Sequence, residues 1–393
     1  MALSKGEVNE LYYNAVGGQI AFQTEGKGVL HPLAVAKLLG ARARESGARE
    51  LKILELGAND CAFAISLLKV LTSLTIHGEV ELARVEYFAV EFARPSLETV
   101  FSSQAEVGDF QHAVPGPAGS PLVGSLTRIG VPESTLYLVH AEAGAFVGGG
   151  SGRYDIVIVN ELFDDLPCRV FFADAAGRTF ELEAHAEEQG ARWRVAVTAS
   201  ETNAAEARAL QPATLTVTSA PSLAIVRGAA SLLDSGGMLL VHDYGITERQ
   251  VPLATYESLP PTQPDFVDLE FPPGSEHGFP RSFFRVFGNI FASVVQMTTD
   301  VGFAELADEL APLGRVIVLP HGNALLATRD SPEDRRKGDG VFLSEFSLLE
   351  PGDDLEELLA RLDAEQEALR RSFADEFLAG HPSVFADLLF VKR

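Results

Sequence analysis

Acidic residues recur where apolar runs end in this chain, and a sheet edge that binds a ligand is built from such ends. In LKILELGANDC, residues 51–61, Leu51, Ile53, Leu54 and Leu56 form the short apolar run of a buried parallel strand. The run stops at Gly57. The turn-forming Ala58-Asn59-Asp60-Cys61 follows, and then AFAISLLKVL, which has the length and spacing of a helix. Gly57 lets the backbone approach a ligand closely, and the helix start offers free N–H groups. A carboxylate at Glu55 argues against a pyrophosphate there and suits a cofactor with a cationic amino-acid portion, such as S-adenosylmethionine. A second strand, Tyr87 to Val90, ends at Glu91, which is placed to accept hydrogen bonds from ribose hydroxyls. Its distance from the glycine exceeds the usual roughly 20 residues because Thr72 to Glu86 adds helix and loop. A third strand, Leu136 to Val139, leads to His140 and Glu142, where an adenine would rest.

Two more apolar runs end in polar clusters. Ile156 to Val159 is followed by Asn160-Glu161 and then by Leu162-Phe163-Asp164-Asp165-Leu166-Pro167, a turn of helix closed by proline. Met238 to Val241 is followed by His242, Asp243 and Tyr244. Further on, the polar residues Gln296 to Asp300 precede a helix with Phe303, Leu306 and Leu310 in phase, and Thr299 or Asp300 is in place to cap it.

The elements that must position these residues read in order as alternating strands and helices. An N-terminal lid and helix occupy 1–50, and 51–167 carries the first part of the cofactor-binding core. A β-rich insertion with helices covers 168–230, where the alternation in VFFADAAGRTFELEAH and ARWRVAVTA gives short antiparallel strands. The core resumes over 231–330 and includes a long substrate loop, 246–285, crowded with proline, acid and glycine. Gln111 to Ser125 reads as loop from its Pro/Gly/Ser punctuation, and VIVLP with NALLATR reads as a strand pair. The tail, 331–393, carries a helical stripe from Leu355 to Phe377.

Composition narrows the function classes. The 393 residues hold 31 Lys+Arg against 55 Asp+Glu, a net charge of −24, which disfavours nucleic acid or an acidic membrane surface as partner and is compatible with a basic protein or peptide. Two cysteines, Cys61 and Cys168, imply neither a disulfide framework nor a zinc cluster, and no metal-ligand spacing occurs. The N-terminus lacks signal- or transit-peptide character and no apolar run reaches spanning length, so a cytoplasmic protein is expected.

ILELGANDC, YFAVE, IVIVNELFDDLPCRVFF, GGMLLVHDYG and QMTTDVGFAEL, in that order, resemble the MidA-type methyltransferases, whose mitochondrial members methylate an arginine during assembly of respiratory complex I. The corresponding family pieces look like E-x-G-x-G-x-G, V-E, N-E-x-x-D-A-L-P-V, G-x-x-x-x-I-D-Y-G and D-I-T-A-H-V-D-F. The likeness runs from about Tyr12 to Arg329. It implies an α/β fold: a Rossmann-like, seven-stranded class I methyltransferase core with an antiparallel β insertion and helical additions. The cofactor it implies is S-adenosyl-L-methionine, with Glu55, Gly57, Glu91 and the Asn160-Glu161 edge around it. Asn59 and Cys61 stand where the later motif glycines would be, with Asn59 expected in the left-handed conformation. Gln296, Asp300 and Gly302 replace an aspartate, a histidine and an aspartate, and IAFQTEG keeps only Phe22 and Thr24 of a Gly-Asp-Phe-x-Thr-like pattern.

Methyl transfer is an in-line displacement, so the protein must align nucleophile, methyl carbon and sulfur. For a guanidinium acceptor, Glu161, Asp164, Asp243 or Asp300 would orient the nitrogen and take its proton, with Glu161 and Asp243 ranked first for their strand-end positions. For an amine, hydroxyl or acidic carbon, His242 or Tyr244 would serve. The expected partners are a protein, peptide or small-molecule methyl acceptor, with a homodimer compatible, and neither nucleic acid nor membrane. The lost glycines leave a second class open, a catalytically inactive scaffold or assembly factor on the same fold.

Overall fold

The computed structural model describes residues 2–16, 30–78, 80–150, 152–257, 261–275, 278–289, 292–320 and 385–393. Its main sheet grows from the strand Glu50–Leu56, whose Leu51 and Ile53 are buried on one face and Leu54 and Leu56 on the other. That strand pairs in parallel with Arg84–Glu91 on one side and with Tyr154–Asn160 on the other. Glu133–His140 continues the sheet beyond Arg84–Glu91, and Leu233–Ile246 continues it beyond Tyr154–Asn160, both in parallel. Two antiparallel strands complete that side: Phe385–Lys392 pairs with Leu233–Ile246, and Gly314–Pro320 pairs with Phe385–Lys392. These seven strands are the expected Rossmann-like core.

Helices Leu30–Ser46, Ala62–Ile76 and Arg94–Val107 bury their apolar residues on one face. Ala143–Gly149, Ala220–Leu232 and Phe303–Leu310 cover the other. Because five neighbouring strands are parallel, their carboxyl ends meet at one edge, and the polar residues that follow each apolar run collect there.

Several expectations need correction. Gln111 to Ser125 is not a loop: His112–Pro115 and Leu122–Arg128 form an antiparallel hairpin that extends the sheet past Glu133–His140. The segment 246–285 is not a free substrate loop. Val267–Glu270 and Val251–Pro252 become edge strands of the second sheet, which otherwise holds the antiparallel Arg169–Ala173, Thr179–Gln189, Arg192–Glu201 and Thr214–Thr218, with the short Leu3–Ser4 paired to Thr179–Gln189. Val251, Leu253, Tyr256, Phe279, Phe283 and Phe284 from the same segment close an apolar cluster against that sheet, so burial rather than ligand contact explains their types. The tail is a strand, not a helix, over Phe385–Lys392, and this strand pairs with Gly314–Pro320. Helix Phe303–Leu310 is preceded by Gly302 at its cap, with no side-chain cap from Thr299 or Asp300. The stripe from Leu355 to Phe377, NALLATR and the IAFQTEG stretch lie outside the described residues. No helix among the described residues is long and apolar enough to cross a membrane.

The last strand fills the gap between two others, and its Phe390 is fully buried. Phe390→Ala should therefore cost about 3–5 kcal/mol in denaturant-induced unfolding. A loss under about 1 kcal/mol would show that this strand is dispensable to the core.

Candidate active site

A cavity of about 490 Å³ lies at the carboxyl edge of the parallel strands. Its first wall is the turn after Glu50–Leu56. Gly57 has φ +77°, and a Cβ there would meet Leu162 Cδ1 at 3.0 Å, so glycine is required twice over. Asn59 adopts the expected left-handed conformation with φ 46°, and Cys61 does the same with φ 55°. Glycine's backbone geometry is thus kept without glycine. Within the turn, Gly57 and Ala58 donate to the carbonyl of Val90 at 2.9 and 3.1 Å, and Asn59 donates to Glu91 Oε2 at 2.8 Å; at the helix start Ala62 N donates to Asp60 Oδ1 at 3.1 Å.

Glu55, Gly57, Ala58, Asn59, Glu91, Glu142 and Asn160 all line the cavity. Glu91 also accepts from Ala93 N at 2.8 Å, which fixes its carboxylate at the strand end. Glu55 accepts from the Tyr87 hydroxyl at 2.9 Å, and burial pushes its carboxyl from the ordinary 4.5 up to about 8. Glu142 caps helix Ala143–Gly149 through Gly144 N and Ala145 N. His140 is not in the lining; its Nε2 sits 3.1 Å from the Phe92 carbonyl.

The rest of the lining comes from the turn after Tyr154–Asn160, the N-terminal helix Lys5–Val16 and the hairpin Arg285–Asn289/Val294–Thr298. Glu161, Asp164 and Tyr244 reach the cavity, and Glu161 holds a left-handed φ of 49°. Asp243 does not reach it, which corrects its first ranking. Its carboxyl is fully buried and accepts from Phe163 N at 2.8 Å, Asp164 N at 3.2 Å and Tyr244 N at 2.8 Å. It therefore builds the turn that carries Asp164. Asp164 itself is buried, with Oδ1 lacking any hydrogen-bond partner among the described residues. Burial and then the neighbouring charges of Asp243 and Asp165 hold its carboxyl well above the usual carboxylate range.

His242 and Asp300 also lie outside the lining. The His242 ring stacks on Phe385 at 4.7 Å and on His31 at 4.1 Å, and its Nδ1 is 2.9 Å from Asp387. Asp300 is paired with Arg285 at 2.6 Å and accepts from the Tyr256 hydroxyl, while Arg285 covers the ring of Tyr244. Packing assigns both residues to the frame behind the cavity.

Sequence reasoning passed over Tyr13, Asn9 and Asp165 as site residues and treated Gln296 only as a departure. The Tyr13 hydroxyl donates to Asp165, and Gln296 Nε2 donates to Asp165 Oδ1 and to the Tyr13 oxygen at 2.8 Å each. Within the helix, Gly6, Asn9, Glu10 and Tyr13 form one stripe facing the cavity, a spacing that was readable.

Residues 34–263 match the model of a family described as "Putative S-adenosyl-L-methionine-dependent methyltransferase". The chain belongs to this methyltransferase family. No curated protein matches it. Two solved structures from Burkholderia thailandensis, both of the COG1565 superfamily to which the MidA-type proteins belong, share its fold. One is 16% identical with TM-score 0.51, covering 95% of this chain and 82% of that one. The other, solved with S-adenosyl-homocysteine bound, is 14% identical with TM-score 0.51, covering 94% and 79%.

The methyltransferase's cavity fits the family's cofactor, S-adenosyl-L-methionine, in the chemistry of its unfilled groups. Asn59 Oδ1 and Asn160 Oδ1 are buried without hydrogen-bond partners among the described residues, and both are acceptors that ribose hydroxyls or an ammonium would satisfy. The altered last motif has reasons in packing as well. Asp300 is matched by Arg285, and a Cβ at Gly302 would stand 2.8 Å from the Val217 carbonyl oxygen.

The Glu55 carboxyl binds a proton in the folded protein that it releases on unfolding, so its contribution to stability falls as pH rises from about 4.5 to about 8. Glu55→Gln removes that slope. Urea unfolding at about pH 5 and about pH 8 should show the stability difference moving in the variant's favour at the higher pH. A difference that does not change with pH would contradict the assignment.

Proposed function

We propose that this protein transfers a methyl group from S-adenosyl-L-methionine to a nitrogen that enters the cavity as a cation, the guanidinium of a protein arginine or the amino group of a small molecule or peptide. One observation carries this reading. Asp164 and Gln296 each present to the cavity a buried oxygen with no hydrogen-bond partner among the described residues, so the methyl acceptor is expected to bring hydrogen-bond donors, as a guanidinium or ammonium does. Surrounding carboxyls at Glu161 and Asp165 favour positive charge in a site of low dielectric.

When bound, the cofactor supplies an electrophilic methyl on a sulfonium. Glu91 and Asn160 would hold its ribose and amino-acid ends, and Glu55 would favour its positive charge. Asp164 orients the incoming nitrogen and takes the proton that must leave before the lone pair can attack. Burial and the neighbouring Asp243 and Asp165 raise its proton affinity, which favours proton uptake by this carboxyl. Phe63, Tyr13, Tyr244 and Phe287 give the cavity its apolar and aromatic surface, which limits water around the reacting atoms.

Calorimetric titration with S-adenosyl-homocysteine tests the cofactor half. Gly57→Arg and Glu91→Ala should each weaken binding by about tenfold or more. Asp164→Asn should leave that affinity within about threefold, yet lower methyl transfer to arginine peptides and simple guanidines by about 10²–10⁴-fold. Unchanged turnover in Asp164→Asn would remove its assigned role, and no binding by the wild type would remove the cofactor reading.

A further inference from the structure

His31, His242 and Asp387 come from three distant segments and meet at the main sheet, outside the cavity lining. Strand register places two of them. His242 stands directly opposite Asp387 in the antiparallel pair of Leu233–Ile246 with Phe385–Lys392, so both side chains leave the sheet on one face. Leu240 and Leu389, two residues away on the same strands, pack on the face that helix Leu30–Ser46 covers, and the first turn of that helix carries His31.

The His31 ring lies against Phe63 at 5.2 Å and over His242 at 4.1 Å. His242 Nδ1 is 2.9 Å from Asp387 Oδ1. One nitrogen of each ring and one carboxylate oxygen all lie within 4.8 Å of one another. Both histidines are more than nine-tenths buried, at 6% and 2% exposure, and the carboxylate is half-buried. A hydrogen bond between His242 and Asp387 accounts for two of these groups. It does not require a second imidazole, delivered by a separate helix, to bring a nitrogen to the same point. Two imidazoles and one carboxylate are a donor set suited to a borderline divalent transition ion, whereas calcium and magnesium favour oxygen shells. Donor atoms on one zinc ion stand roughly 3–3.5 Å apart, so a contraction of about 1 Å closes the set.

We propose that His31, His242 and Asp387 form a structural site for a divalent transition ion of the zinc class. The ion ties the start of helix Leu30–Ser46 to two neighbouring strands, and it holds in register the strand Phe385–Lys392, which reaches the sheet from the far end of the chain. Water fills the positions that three protein donors leave. The donors share no local spacing, which is why the sequence shows no metal motif. None of the three lines the cavity, so the proposal is independent of the methyl-transfer reading and gives the ion no step in it.

Zinc titration of the full chain, first treated with a chelator and kept in excess magnesium, tests this by calorimetry and by urea unfolding. One equivalent should bind with a Kd of about 1 μM or below. At zinc about a hundredfold above that Kd, the folding equilibrium constant should rise about a hundredfold. His31→Gln and Asp387→Asn should each weaken zinc binding by about tenfold or more and lose most of that rise, each variant being compared with itself in chelator. His112→Ala, at an exposed histidine on an edge strand, should keep the affinity within about threefold. Cobalt in place of zinc should give the wild type ligand-field absorption bands that zinc then displaces. Wild type without saturable binding of one equivalent, or without such bands, would overturn the proposal even if a ligand variant failed to fold. Affinity unchanged in either folded ligand variant, or lost equally in His112→Ala, would overturn it too.

Discussion

The Asp243 carboxyl accepts three backbone N–H groups, from Phe163, Asp164 and Tyr244, and the acceptor half of the cavity depends on that arrangement. A carboxyl removed from water is costly unless hydrogen bonds replace the lost hydration, and here the backbone supplies them. Burial and the charge of Glu161 push its proton affinity up, while the Phe163 and Asp164 N–H groups pull it down. The 3₁₀ turn Phe163–Asp165 is thereby pinned to the neighbouring strand, which leaves Asp164 in the cavity wall and brings Asp165 to the N-terminal helix.

Behind this turn stand two buried cations. Lys5 donates to the Asp164 carbonyl and to Thr299 Oγ1 at 2.6 Å, and Arg285 pairs with Asp300. Neither belongs to the cavity lining, so positive charge supports the wall while the surface offered to a ligand stays acidic. A cavity built this way favours cationic guests over anionic ones and gives up some stability to do so, since its carboxyls are held away from their preferred ionisation. The net charge of −24 extends the same bias over the whole molecule.

Much of this was legible in the sequence because it is local. An apolar run, a glycine and an amphipathic segment specify strand, turn and helix within a few residues, and the left-handed Asn59 follows from its type and place. Asp243 was legible as a strand-end acid but not as a structural one, because its role is set by two N–H groups about 80 residues away. The Tyr13–Asp165–Gln296 contact escaped for the same reason, being a junction of three segments that share no local pattern. Punctuation misled at Gln111 to Ser125, where proline and glycine mark the ends and turn of a hairpin rather than a loop. The closing strand Phe385–Lys392 was hidden by its position at the far end of the chain, where no βα alternation announces it.

Glu55, pushed up to about 8 by burial, holds a proton near neutral pH in the free protein, and a sulfonium beside it favours the carboxylate. Calorimetry of S-adenosyl-L-methionine binding near neutral pH, in buffers of different ionisation enthalpy, measures this directly as the number of protons exchanged. The account predicts release of about one proton, with less released by S-adenosyl-homocysteine, which lacks the sulfonium charge. Equal proton counts for the two ligands, or none for either, would contradict it.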